Sequence, residues 1–88
     1  MKQFFPSTIQ FRKLPDVKES TGDSRTTHYR KIQDGLMTRP VSRGGGRVAW
    51  PGYEIDAINR ARVSGFRDEA IKDLVTKLHE LRSLETWA

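Results

Sequence analysis

Six cations and a single acid, Asp34, lie between Ser24 and Arg47: Arg25, Arg30, Lys31, Arg39, Arg43 and Arg47. Hydroxyls (Ser24, Thr26), an amide (Gln33) and an aromatic ring (Tyr29) are interleaved with them. Arginine and glutamine present donors that match purine edges, while hydroxyls and cations hold phosphate oxygens. The chemistry on offer is recognition of a nucleic acid, not the making or breaking of bonds. At about 100° per residue, Arg25, Thr26, Tyr29, Arg30 and Gln33 fall on one side of a helix, and Thr27, His28, Lys31 and Ile32 fall toward the other. A short solvated helix also turns Arg, Gln and Tyr outward, so this face has a bland reading beside the DNA-reading one.

Other chemistries find less support. Cysteine is absent, which removes disulfide scaffolds and cysteine-based zinc sites. The histidines, His28 and His79, are solitary, and neither has a second ligand at helical spacing, so no metal site is expected. No local arrangement of nucleophile, base and orienting group suggests an enzyme. The glycines at 44–46 would need a following helix and a Lys or Ser/Thr to cradle a phosphate, and a strand-like run follows them instead. No cofactor is therefore expected.

The totals agree with a nucleic-acid partner. The chain has 88 residues, a net charge of +5 and only 35% hydrophobic residues, which suits one small domain helped by a partner or a second copy. The charge is uneven: residues 1–47 hold ten Lys/Arg against four Asp/Glu, residues 48–88 six against seven. A polyanion docking on one side would account for that split. There is no run of about 18 apolar residues to span a membrane and no signal-peptide pattern, so the expected location is cytoplasmic.

These residues need elements to position them. Residues 1–10 read as a tail, and Phe11-Arg12-Lys13 as a short strand or an extended lead-in. A first helix should start at Leu14-Pro15-Asp16, with proline in its first turn and an acid toward the positive dipole end, and should stop at Gly22. A second should run from Arg25 to Asp34, with Asp23 or Ser24 as N-cap and Gly35 as its stop. The turn between them, about three to four residues with a glycine, suits a helix-turn-helix. Arg39–Arg43 and Arg47–Trp50 around Gly44–Gly46 read as a β-hairpin with Arg43 and Arg47 at its tip. There they would touch a phosphate backbone or minor groove, or, on the alternative reading, decorate a flexible turn.

A third helix should begin at Pro51 and bury a stripe of Ile55, Ile58 and Ala61 or Arg62 beside Trp50, which is read as core, and should close at Gly65. The last helix, Arg67 to Leu84, carries seven apolar positions. Ile71, Leu74, Leu78 and Leu81 keep the spacing of a coiled-coil seam for about two heptads, which favours a dimer or partner surface over packing on its own domain. Trp87 would cap it. The expected organisation is a tail over 1–10, a winged helix-turn-helix domain over 11–64 and a C-terminal amphipathic helix over 65–88, the whole mainly α with a small hairpin.

Taken in order, Leu14-Pro15-Asp16-Val17, Thr21-Gly22-Asp23-Ser24-Arg25-Thr26-Thr27, Tyr29-Arg30, Asp34-Gly35, Pro40-Val41, the glycine cluster and Trp50 resemble the AlpA family of prophage regulators. That family's core reads roughly L-P-E-V, T-G-x-S-R-S-T-x-Y-R, then G, P-V and G-x-W, and the likeness covers about residues 11–60. The resemblance implies a winged helix-turn-helix of the kind shared with MerR-type and phage excisionase domains. It further implies transcriptional control or excision of an integrated element without catalysis, with Ser24, Arg25, Thr26, Tyr29 and Arg30 on double-stranded DNA. His28 and Lys31 stand where the family has apolar residues, Asp23 replaces an apolar turn residue, and the last helix lies beyond the family core. Further expected partners are a second copy, a row of copies along DNA, or an integrase. An adaptor that grips a recombinase or transcription partner through the last helix is the alternative function.

Overall fold

A computed structural model describes residues 8–84. In chain order these form β1 (Phe11–Arg12), α1 (Leu14–Thr21), α2 (Arg25–Gln33), β2 (Val41–Gly44), β3 (Arg47–Pro51), α3 (Gly52–Val63) and α4 (Asp68–Arg82). The fold is mainly helical, with one small antiparallel sheet in the order β1-β3-β2. Residues 1–7 of the expected tail and Trp87 lie outside the described residues. No helix among those described is long and apolar enough to cross a membrane.

Local signals account for most element ends. Pro15 sits in the first turn of α1 with Asp16, and Gly22 closes the helix by donating its N–H to the Lys18 carbonyl. Of the two candidate caps for α2, Ser24 is the one used: its Oγ accepts the Thr27 N–H at 3.2 Å, which satisfies one of the donors left open at a helix start. At the other end the Leu36 N–H returns to the Lys31 carbonyl and the Gly35 N–H to the Ile32 carbonyl. This paired closure takes the last carbonyls and turns the chain toward the hairpin. Asp34 caps the helix and lies outside its body.

In the hairpin, Val41 faces Ala49 and Ser42 faces Val48, with an irregularity before Gly44 meets Arg47. Gly45 and Gly46, at φ +60° and +77°, make the two-residue turn. Positive φ at both central positions matches the right-handed twist of the flanking strands, and only glycine takes that backbone freely. Phe11-Arg12 is a strand, pairing with Pro51 and Trp50 on the other side of β3.

Pro51 ends β3, and the first residue of α3 is Gly52, not Pro51. The reason is the approach of β1. The Gly52 N–H donates to the Gln10 carbonyl at 2.7 Å, and a Cβ on Gly52 would stand 3.1 Å from that oxygen and 3.3 Å from Arg12 Nε. A side chain here would push the lead-in strand back by a few tenths of an ångström, so glycine lets it close most tightly over the helix start.

The core corrects the expectation for the last helix. Val17, Met37, Trp50, Ile55, Ile58, Ala61, Ile71, Val75 and Leu78 form one buried cluster. Ile71 and Leu78, two of the four residues expected to face a partner, are fully buried in it, and Leu74 packs against its edge. Leu81 is half-buried. The helix turns Ile71, Val75 and Leu78, a spacing of four then three, into the same cluster as Ile55 and Ile58 of α3. Each such side chain contributes about 1.5–3 kcal/mol when taken out of water. α4 thus contributes to the same buried cluster as α1, β3 and α3.

Candidate nucleic-acid interface

The capping at Ser24 and Gly35 fixes which residues of α2 face outward. Ser24, Arg25, Thr26, Arg30 and Gln33 are exposed. Tyr29 departs from the expected set: it is half-buried, packs against the core and meets the Trp50 ring edge-on at 6.4 Å. The outward arc is therefore narrower than the periodicity suggests. Above Tyr29, the Arg25 guanidinium sits 5.4 Å from the ring centroid, a cation–π contact that orients it along the helix surface.

Arg43 and Arg47 are exposed beside the glycine turn. Arg43 is steadied by Phe11, its guanidinium 5.6 Å from the ring centroid. This explains why a 45% exposed phenylalanine stands on β1. The helix and hairpin groups are two patches, and no hydrogen bond or ion pair among the described residues joins them. Their carriers meet through the interior, where His28 and Tyr29 of α2 abut Trp50 of β3. Arg39 is exposed but drawn toward α4, with its backbone held by His79 and Arg82.

Charge is arranged around this surface with few acids to neutralise it. The ion pairs among the described residues, Arg12–Asp56, Lys31–Asp23, Arg62–Asp68, Lys72–Glu69 and Arg82–Glu54, all use cations outside the expected contact set. Arg25, Arg30, Arg39, Arg43 and Arg47 form no ion pair among the described residues. Asp23 and Lys31, two residues at odds with the family pattern, are bonded to each other at 2.7 Å. The pair ties the turn before α2 to the helix and occupies the acid nearest its start.

His28 is fully buried, and neither ring nitrogen has a protein partner. Its ring stands edge-to-face on Trp50 at 4.7 Å and on Tyr29 at 5.2 Å, the geometry of a packed aromatic. Burial holds its pKa below the ordinary 6.5; Asp23 pulls the other way and Lys31 adds to the depression. The unfolded chain accordingly takes up a proton near pH 6.5 that the folded chain refuses. The stability at stake is present above that pH and is lost as pH falls toward the folded pKa. His28→Phe keeps the ring contacts and removes the unbonded nitrogens. It is expected to gain about 1 kcal/mol at pH 7.5 and to lose less stability than the parent on acidification, as thermal melts across pH would record.

Several of these roles could not be seen in the chain alone. Phe11 beneath Arg43, Glu54 as the partner of Arg82, and His79 as the partner of Arg39 all join residues far apart in sequence. Only the Asp23–Lys31 pair left a trace, as two departures from one pattern. Among the described residues no group of His, Asp or Glu could hold a metal ion.

No family model and no solved structure matches the chain. The chain is similar to "Uncharacterized protein ORF88" of Enterobacteria phage P4, 38% identical over 56 residues, which is 64% of this chain and 64% of that protein. The chain thus spans less than two thirds of that relative's length, and its resemblance to the AlpA family rests on the motif residues alone.

Proposed function

We propose that the chain is a sequence-specific DNA-binding protein of the winged helix-turn-helix type, acting as a transcriptional regulator or excisionase of an integrative element. On this reading α2 enters the major groove and the hairpin is the wing, with Arg43 and Arg47 on the adjacent backbone or minor groove. The role is one of binding and needs no catalysis. The observation that carries it is the exposed face Ser24, Arg25, Thr26, Arg30 and Gln33, whose two arginines form no ion pair among the described residues while nearby Asp23 is committed to Lys31. Capped helix, short turn and glycine-tipped hairpin in that order support the fold type. Similarity to a protein of a phage supports the mobile-element setting.

The adaptor reading loses its main support, because Ile71 and Leu78 are used in the domain's own core. The test is fluorescence anisotropy on a duplex recovered by selection from random DNA, titrated at several salt concentrations against mixed competitor. Equal affinity for selected and competitor DNA at moderate salt would end the proposal. Arg43→Ala should leave the preferred sequence unchanged and lower the salt slope by about one unit, since a wing arginine on a phosphate releases about one counterion.

A further inference from the structure

The segment that joins α2 to the hairpin is held by α4. Arg39, two residues before β2, donates its backbone N–H to His79 Nε2 at 3.0 Å and accepts at its carbonyl from Arg82 Nη2 at 2.7 Å. Both backbone polar groups of an expected DNA contact are therefore fastened to the last helix. The preceding carbonyl, of Thr38, takes the Trp50 Nε1–H at 2.9 Å, and Pro40 follows with its fixed φ. Arg82 is itself immobilised by a two-point ion pair with Glu54, which is fully buried at the start of α3. The path from recognition helix to hairpin thus has little freedom, and α4 supplies two of its fastenings.

One fastening is titratable. To accept from a backbone N–H, Nε2 must carry the lone pair, so the neutral ring holds its proton on Nδ1. In that tautomer the Arg39 Nη1 at 3.3 Å from Nδ1 is a donor facing a donor, a close approach rather than a bond. An imidazolium has no lone pair left for the Arg39 N–H and adds a third cation beside two guanidiniums. The charged groups facing the ring are Arg39 from the linker, Arg82 from α4 itself and Glu54 from α3. Lys72 lines the same groove, to which α2 contributes the uncharged Gln33. Burial first, then Arg39 and Arg82, hold His79 below 6.5, with Glu54 opposing them.

We infer, on the basis of the DNA-binding reading above, that His79 and Arg82 are positioning residues for the DNA-binding surface, and that protonation of His79 frees Arg39 and weakens DNA binding in mildly acid solution. The sign follows from the lone pair: the linker is fastened at pH 6.5 and above, and is released only as pH falls through the folded pKa of His79, which lies below that value.

The experiment uses the full chain, the parent and two variants, His79→Gln and His79→Phe. Glutamine offers a carbonyl acceptor that does not titrate, while phenylalanine offers none. Amide correlation spectra between about pH 8 and pH 5 follow Arg39, and anisotropy on the selected duplex follows affinity over the same range. The Arg39 amide should move with the ring titration of His79, at a midpoint below 6.5, and stay still in His79→Gln. Parent affinity should fall about fivefold more than that of His79→Gln on acidification, the worth of one hydrogen bond of about 1 kcal/mol. His79→Phe should bind weakly at every pH. An Arg39 amide indifferent to the His79 titration overturns the inference, as does a parallel loss of affinity in parent and His79→Gln. If the parent prefers no duplex at pH 7.5, the DNA-binding reading fails, the regulatory inference that rests on it falls too, and the spectra alone judge the His79–Arg39 fastening.

Discussion

Arg82→Ala is expected to lower the free energy of unfolding by about 3 kcal/mol, a large share of the roughly 5–15 kcal/mol that holds a domain together. The reason is what it leaves behind. Glu54 is fully buried, and its two oxygens accept from Arg82 Nε at 2.8 Å and Nη2 at 2.7 Å. Without the guanidinium a carboxylate remains in the interior with neither water nor cation, and desolvation that the pair had offset is felt in full. The midpoint of thermal unfolding should fall by roughly 15 °C. The double replacement Glu54→Leu with Arg82→Met removes both charges and keeps similar volume, so it should be much less harmful than the single change. Urea denaturation of the parent, both singles and the double closes the cycle. A single variant as stable as the parent would mean the pair contributes nothing, and Arg39 would have to be held by something other than an anchored Arg82.

The contrast between α2 and α4 explains how much of this molecule was legible in its sequence. Signals at α2 are local: a serine before the helix, a glycine after it, and a proline and an acid opening the helix that precedes it. Such signals act through backbone donors and acceptors within a few residues, so they can be read without knowing the fold. Trp50 and the glycine turn are legible for the same reason.

In α4 the apolar residues fit two faces of a 3.6-residue helix, Ile71-Leu74-Leu78-Leu81 or Ile71-Val75-Leu78. Only the position of α3 chooses between them, and Ile55, Ile58 and Ala61 draw the second face inward. The thinness of the remaining core was the available clue. Tyr29 and His28 show the same limit at the site. Periodicity placed Tyr29 outward, yet Trp50 lies close enough to hold its ring, and the same indole gives His28 an aromatic neighbour that makes a buried imidazole tolerable. The His79–Arg39 bond spans 40 residues and has no sequence signature at all.

The interface itself makes the sharpest demand through Arg25 and Arg30 together. Replacing both by alanine is expected to reduce affinity for the selected duplex by about 4 kcal/mol, close to a thousandfold, since an arginine paired with a base is worth roughly 1–3 kcal/mol. The two lie on the outward arc of α2, and among the described residues neither forms an ion pair. Arg25 is also oriented by Tyr29, so on the DNA-binding proposal part of its ordering cost is already met in the free protein. Loss of charge alone would give a different result. The exposed cations Arg60 on α3 and Lys77 on α4 lie off the proposed surface, and Arg60→Ala with Lys77→Ala removes the same net charge. That control should weaken binding to selected and competitor DNA by a similar small factor, through long-range electrostatics that salt screens. The α2 double variant should instead lose most of the difference between selected and competitor DNA, keeping the weak binding that the proposed phosphate contacts of Arg43 and Arg47 would supply. Anisotropy titrations of both double variants on both duplexes at two salt concentrations separate the cases. If discrimination survives the loss of Arg25 and Arg30, α2 does not read the bases, and the source of specificity would have to be sought in the wing or in the shape of the DNA.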